Sequence, residues 1–396
     1  VEDFPLQYFY DVRESIVRIR IENTHLEENE LFDLRRSLST IESIVKILNH
    51  SDEDDSHAEE NDGWRREKKY TYPALHRLAK DVITFPQIIQ RIDQILDKYG
   101  KIRDNATPEL LQIRRELAKT EGSISRTLYS ILRSAQSEGV VEKDVTPTLR
   151  DGRLVIPVIP TLKKKIKGIV HDESATGKTV FIEPTEVVEA NNRIRELEGD
   201  ERREIIRILT EFSTILRPSI PDILQSYEFL AEIDFIRAKS YFAIQTNSLK
   251  PAIENEQLLD WTMAVHPLLQ LSLAKHGKKV VPLDIELNKK QRILIISGPN
   301  AGGKSVCLKT VGLLQYMLQC GMLIPMHERS HAGIFSSIFI DIGDEQSIED
   351  DLSTYSSHLT NMKIMMKSCN ERSLILIDEF GGGTEPQIGG AIAEAV

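Results

Sequence analysis

Gly298-Pro299-Asn300-Ala301-Gly302-Gly303-Lys304-Ser305 is the stretch on which the reading of this chain turns. The apolar run Ile293-Leu-Ile-Ile-Ser297 enters it and predicts a strand. Cys307, Val311, Leu314 and Leu318 follow at helical spacing and predict a helix. Strand, glycine-rich turn and helix at this spacing form the pattern of a phosphate-binding loop. Gly298, Gly302 and Gly303 let the backbone turn tightly and approach phosphate oxygens without a Cβ in the way. The amides from Ala301 to Ser305 then face an anion at a helix N-terminus, where the helix dipole favours it. Lys304 reaches the β- and γ-phosphates of a nucleotide, and the Ser305 hydroxyl supplies a ligand for Mg²⁺.

A second signal lies downstream. Leu374-Ile-Leu-Ile-Asp378-Glu379 is an apolar run ending in two acids, followed by Gly381-Gly-Gly-Thr384. The run predicts a central parallel strand, buried on both faces. Asp378 is placed to hold Mg²⁺ through water, and Glu379 to orient or deprotonate an attacking water. A solvated strand end is the plain alternative, and the glycine-rich turn upstream argues against it.

At 396 residues the chain is long enough for two or three domains. Its net charge of −11 makes general nucleic-acid binding a poor default, so local patches must carry any such role. Cys307, Cys320 and Cys369 have neither disulfide-framework nor metal-ligand spacing, which fits a reduced, cytoplasmic setting. Apolar runs stay short of the ~18 residues of a membrane span. Val1 is not an initiator methionine, and the pattern at 388–396 reads as a helix interrupted, so both ends are expected to be cut.

Leu34, Leu38, Ile41, Val45 and Leu48 predict an amphipathic helix. Residues 51–63 are acidic, then Arg65-Arg-Glu-Lys-Lys69 is basic, and a mobile solvated loop is expected at 51–70. Thr107-Pro108 opens a long helix as cap and first residue, with Leu110, Leu117, Ile124, Leu128 and Ile131 as its stripe. A second long pattern runs from Glu186 to about Leu216, with Glu189/Arg193 and Glu198/Arg202 as (i, i+4) pairs, and is broken by Pro218 and Pro221. A third helix follows through Ile223, Leu230 and Ile233.

Between the two long helices the texture changes. Arg153–Val158, Gly168–His171 and Thr179–Ile182 read as short strands. Lys163, Lys164, Lys165 and Lys167 form the most basic stretch, suited either to gripping a polyanion backbone or to a solvated turn. Thr176-Gly-Lys-Thr179 imitates the end of a phosphate-binding loop but lacks its first glycine, and a hairpin turn is expected. Phe181-Ile-Glu183 matches the Phe-x-Glu wedge of mismatch-repair MutS proteins at the wrong place in the chain, so chance is the reading.

Three stretches together resemble the MutS-superfamily ATPase. They are Gly298–Ser305, Phe339-Ile-Asp-Ile-Gly-Asp-Glu-Gln-Ser-Ile-Glu-Asp-Asp-Leu-Ser-Thr-Tyr-Ser-Ser-His358 and Leu374–Thr384. Arg150–Val158, Gly168–Gly177, Phe181–Pro184, Ile102–Leu110 and His266-Pro-Leu-Leu269 narrow this to the second bacterial MutS family, MutS-two. The acidic loop has no counterpart in the resemblance.

The resemblance implies a mixed α and α/β fold: long lever helices with a small β clamp, then a truncated P-loop ATPase domain of the ABC type. Core and lever helices would occupy 1–148, the clamp 149–185, returning helices 186–250 and the first part of the ATPase domain 251–396. It implies ATP and Mg²⁺, and a homodimer in which Ser353 and Thr354 complete the partner's site. A helix N-cap is the plain alternative for Ser353. Val280 and Val281 would pack on adenine, or else belong to a core strand. The family's nuclease would lie in an Smr domain outside this chain, together with the end of the ATPase domain. The implied partners are branched DNA, in suppressing recombination between diverged sequences, or stalled and collided ribosomes through their rRNA. An inert helical interaction scaffold is the alternative function.

Overall fold

Apolar residues three and four apart dictate helices over most of the first half of the chain, and these form. The computed structural model describes residues 4–6, 8–51, 70–150, 152–174, 177–298, 303–342, 351–381 and 385–395, with the backbone alone at 351–357 and 386. The chain divides into two units, 1–232 and 233–396. The expected acidic loop falls outside the described residues, apart from a backbone bridge between Ser51 and Tyr70.

The first unit opens with α1 (Arg13–Arg18), α2 (Glu28–Leu48), α3 (Pro73–Ala79), α4 (Pro86–Ile95) and α5 (Pro108–Ser137). A capping box between Glu27 and Glu30 starts α2, which buries Leu34, Leu38, Ile41, Val45 and Leu48 along one face. The Thr107 hydroxyl accepts from the Leu110 amide at 3.1 Å and Pro108 is the first residue of α5, as its sequence dictates. The buried stripe of α5 is Leu110, Ile124, Leu128, Leu132 and Ala135, while Leu117 and Ile131 are only half-buried.

After α5 come β1 (Thr148–Arg150), β2 (Arg153–Val158), β3 (Gly168–Glu173), β4 (Val180–Pro184), α6 (Thr185–Leu216) and α7 (Ile220–Gln245). The four strands form one antiparallel sheet in the order β1-β2-β4-β3. The sequence did not signal β1. Central β4 is buried along its whole length. Ile156, Val158, Val180 and Ile182 share a core with Ile124, Leu128 and Leu132 of α5 and Val187 and Ile194 of α6. Burying a side chain of this size is worth about 1.5–3 kcal/mol, so this core fastens the sheet to both helices.

The expected (i, i+4) pairs on α6 do not form. Arg193 turns to Glu116 of α5 at 2.9 Å and to Glu196 at 3.0 Å. Arg114 of α5 meets Glu201 of α6 at 2.7 Å. A pair between helices serves a packed hairpin where a pair along one helix serves an isolated one. Pro218 lies in the short turn between α6 and α7, and Pro221 is the second residue of α7, where a proline is tolerated.

The second unit contains β5 (Ala252–Glu254), β6 (Leu259–Ala264), α8 (Pro267–Ala274), β7 (Leu283–Leu287), α9 (Lys304–Gln319), β8 (His331–Gly333), β9 (Ser337–Asp341), α10 (Asp351–Ser368), β10 (Ser373–Ile377) and α11 (Pro386–Ala395). One sheet has the order β5-β8-β6-β7, and β9 and β10 form a parallel pair. One core holds both sheets: Val311, Leu314 and Leu318 of α9, Leu374 and Leu376 of β10, and Leu259 and Trp261 of β6.

Two expectations fail here. Ile293–Ser297 is not a strand: among the described residues it has no ladder partner, and Ile293 and Ile295 are 86% and 84% exposed. A β-prone run becomes a strand only where another backbone pairs with it, and among the described residues β10 pairs with β9 alone. Accordingly β10 is not buried on both faces. Leu374 and Leu376 point into the core, while Ile375 is exposed, the alternation of a half-buried strand.

Candidate functional site

The site is built on α9, which lies close against β9 and β10 because of Gly312. A Cβ there would come within 3.0 Å of Leu376 Cδ1 and 3.2 Å of Ile340 Cδ1. The absence of a side chain thus seats the helix on the strands whose ends carry the acids. At the N-terminus of α9, Gly303 is the cap residue with φ +88°, in the left-handed region that glycine enters without penalty. Its carbonyl accepts from the Cys307 amide at 3.0 Å and starts the helix. Gly298 also has a positive φ, +152°. Lys304 Nζ donates to the Gly298 carbonyl oxygen at 2.6 Å. Pro299, Asn300, Ala301 and Gly302 lie outside the described residues. Burial raises the Cys307 thiol pKa, so this cysteine beside the turn is not an activated nucleophile.

The acid pair sits just past the end of β10. The Asp378 amide donates to the Asp341 carbonyl at 2.9 Å, the last tie of the β9–β10 pair. Asp378 Oδ1 accepts from the Glu379 amide at 3.1 Å. Glu379 has φ +48°, a left-handed conformation that costs a non-glycine residue roughly 1–2 kcal/mol. Such strain persists where surrounding structure imposes it, and it clusters at functional sites. Among the described residues no group of three or more His, Cys, Asp or Glu side chains is gathered for a metal ion. The Ser305 hydroxyl and the Asp378 carboxylate are hard oxygen donors, the chemistry Mg²⁺ prefers, and so they fit it.

The contacts fall into two groups, Gly298 with Lys304 and Asp341 with Asp378. Ser353 and Thr354 are the third and fourth residues of α10, so Ser353 is not its N-cap. Val280 and Val281 lie outside any strand, and Val281 is 88% exposed, which removes the core-strand alternative.

Two clusters escaped the sequence reading. Asp341, buried at the end of β9, accepts at Oδ2 from His358 Nδ1 at 2.7 Å and at Oδ1 from Asn361 Nδ2 at 2.9 Å. The available signal was a His and an Asn three residues apart on one helix, with an acid ending the preceding strand. The second cluster surrounds Glu183 on β4, which is fully buried. It accepts from Arg153 of β2 at 2.7 and 2.9 Å, from Asn191 of α6 at 2.7 Å and pairs with His171 of β3 at 2.5 Å. Phe181 is buried beneath the Arg150 guanidinium, 4.4 Å from the ring centroid, so the Phe-x-Glu match is not a presented wedge. The Ser174 and Thr179 backbones close the β3–β4 hairpin at 2.8 Å, the turn expected at 176–179, of which Thr176 itself is outside the described residues.

Lys163, Lys164 and Lys165 end a short 3-10 helix (Pro160–Lys165), and these three and Lys167 are exposed. Ile166 between them is buried and anchors the segment to the sheet core. No helix among the described residues is long and apolar enough to cross a membrane.

Residues 294–396 match the family model for MutS domain V. Over 392 residues, 99% of the chain, it is 40% identical to the endonuclease MutS2 of Levilactobacillus brevis and 38% to that of a Geobacillus species, covering 47% of each relative. It is 41% identical over 331 residues to the endonuclease MutS2 of Pelotomaculum thermopropionicum, with 84% of the chain and 41% of the relative covered. The chain spans about half the length of these curated relatives. With specific motifs in place and this identity sustained over almost every residue, the chain belongs to the MutS2 family.

Proposed function

We propose that this chain is the nucleotide-binding and clamping part of an ATP-dependent nucleic-acid clamp. The observation that carries the reading is the turn at the head of α9. A left-handed glycine caps the helix, the next residue is a lysine bonded to the Gly298 carbonyl, and the helix rests on a strand pair just beyond which lie Asp378 and Glu379. In this reading residues 298–305 hold the phosphates of ATP, with Lys304 exchanging the Gly298 carbonyl for phosphate oxygens. Bound Mg²⁺ supplies charge neutralisation at the phosphates, with Ser305 and Asp378 as its protein ligands. Glu379 orients the attacking water and takes its proton. Exposed Val281, with Val280, offers apolar surface to the adenine. Ser353 and Thr354 complete the site of a second copy. Dimer closure is passed along α5 and α6, the proposed levers, to the four-stranded sheet, the proposed clamp. Lys163, Lys164, Lys165 and Lys167 there contact backbone phosphates, which carry no sequence information. Branched DNA and the rRNA of a stalled ribosome are the two polyanions this grip suits, and the cytoplasm is where it would act.

A catalytically inert helical scaffold is the second reading. The run 293–297 ahead of the glycines favours it, being exposed and without a ladder partner among the described residues. ATP hydrolysis by the full-length protein decides, measured alone, with branched DNA and with purified ribosomes, beside a Glu379→Gln variant. Stimulation by one partner that the variant loses supports the clamp and names its substrate. Absence of hydrolysis in every condition supports the scaffold.

A further inference from the structure

Asp341 joins three elements through one residue. Its main-chain carbonyl holds the Asp378 amide at 2.9 Å, the last bond before the strained turn at Glu379. Its carboxylate is held at both oxygens by α10, through His358 at 2.7 Å and Asn361 at 2.9 Å. The residue is 4% exposed. A buried carboxylate is costly unless its lone pairs are satisfied, so this geometry is held firmly or the region rearranges. His358 and Asn361 are three apart and present one face of α10 to the strand end. The same helix begins with the turn that carries Ser353 and Thr354.

We propose that Asp341 is a positioning residue: with His358 and Asn361 it sets where Glu379 stands and ties that position to α10. The inference rests on the reading that Asp378 and Glu379 act on a bound nucleotide. Displacement of the first turn of α10 by a second copy is carried down a rigid helix to His358 and Asn361. From there it passes through the Asp341 carboxylate to its carbonyl and the Asp378 amide. Contact at one site thereby moves the water-orienting acid of the other.

The test uses Asp341→Asn, His358→Ala and His358→Gln in the full-length protein. ATP turnover, affinity for a fluorescent ATP analogue and thermal midpoint are measured for each beside wild type. We expect Asp341→Asn and His358→Ala to lower kcat by about 10²-fold, the cost of a misplacement near 1 Å, with KM and analogue affinity unchanged. His358→Gln, whose amide can still donate to the carboxylate, recovers most of that loss. Unchanged kcat in these variants overturns the inference and leaves the proposed function standing. Parallel loss of affinity, kcat and thermal midpoint in His358→Gln also overturns it, by showing a role in folding alone. A wild type that binds the analogue without turning ATP over overturns the proposed function and this inference with it. If Asp341→Asn does not fold, the two His358 variants decide.

Discussion

Lys304 Nζ lies 2.6 Å from the carbonyl oxygen of Gly298, so the cation of the glycine-rich turn is held by the turn's own backbone. A phosphate group offers that cation a charged acceptor in place of a neutral one, and charge-assisted hydrogen bonds are roughly twice as strong. ATP with Mg²⁺ at about 100 times its dissociation constant is expected to stabilise the protein by about 2.7 kcal/mol. Lys304→Met removes the donor nitrogen and keeps a four-atom stem, and the thermal shift on adding ATP should disappear. A shift equal to that of wild type would show that nucleotide binds elsewhere or not through this lysine.

Glu379→Gln keeps the size and the polar end of the side chain but not its basicity. Loss of a general base costs about 10²–10⁴ in rate, so turnover should fall by that factor while ATP affinity holds. The conformation at this position adds a second arm. Glycine enters the left-handed region freely, so Glu379→Gly relieves the strain at φ +48° and should raise the thermal midpoint while abolishing turnover. Single-turnover hydrolysis and thermal melts on the same preparations check both statements.

The sequence made α2 and α5 legible because their signals are local. Thr107-Pro108 caps α5 through a bond to Leu110, three residues away, and the stripe of α2 is set by its own periodicity. The failures involve partners distant in sequence. Ile293–Ser297 has strand composition, but composition does not provide the neighbouring backbone a strand requires. Arg193 was assigned to Glu189 by spacing, yet it binds Glu116, 77 residues away. Glu183 read as part of an incidental match, and Asp341 stood unremarked inside the stretch Phe339–His358. Their importance comes from burial, which only the folded chain reveals.

Glu183 makes stability depend on acid. Burial alone pushes its pKa up, but the hydrogen bonds from Asn191, His171 and Arg153 together outweigh this and hold the carboxyl below the ordinary glutamate value. An unfolded glutamate protonates near pH 4.3. Between that value and the lower folded one, the unfolded chain binds more protons. The stabilisation is therefore complete above about pH 4.3 and is lost as pH falls through the folded value. Glu183→Ala leaves Arg153 and His171 without their buried partner and should cost about 3–5 kcal/mol. Urea melts between pH 7 and pH 3 should show a flatter acid limb in a Glu183→Gln variant than in wild type. Parallel curves would remove Glu183 as a source of the acid dependence.

Lys163, Lys164, Lys165 and Lys167 are separated only by buried Ile166, so the exposed cations are held together rather than scattered. Each lysine that contacts a phosphate is expected to contribute about one unit to the slope of log K against log salt. Replacing all four with glutamine should flatten that slope by about three to four units for branched DNA or for ribosomes, whichever polyanion binds. The loss should be similar for DNA of any sequence, because phosphate contacts position without specifying. An unchanged slope would move the grip off this segment.

The β3–β4 pair depends on a glycine at Gly168 for lack of space rather than for turning. A Cβ there would meet the Glu183 carbonyl oxygen at 2.1 Å and Ile182 Cγ2 at 2.8 Å. The oxygen belongs to the backbone of the central strand and cannot rotate aside as a flexible side chain would. Gly168→Ala must therefore open the end of the ladder where Gly168 pairs with Pro184. That end also orders Glu183, whose carboxylate gathers β2, β3 and α6. Overpacking of this kind costs typically about 1–3 kcal/mol, and the backbone clash argues for the upper end of that range. Hydrogen exchange should show lost protection in β3 and β4 with α2 and α4 unaffected. Full protection in β3 would mean that the strand end already has room for a methyl group.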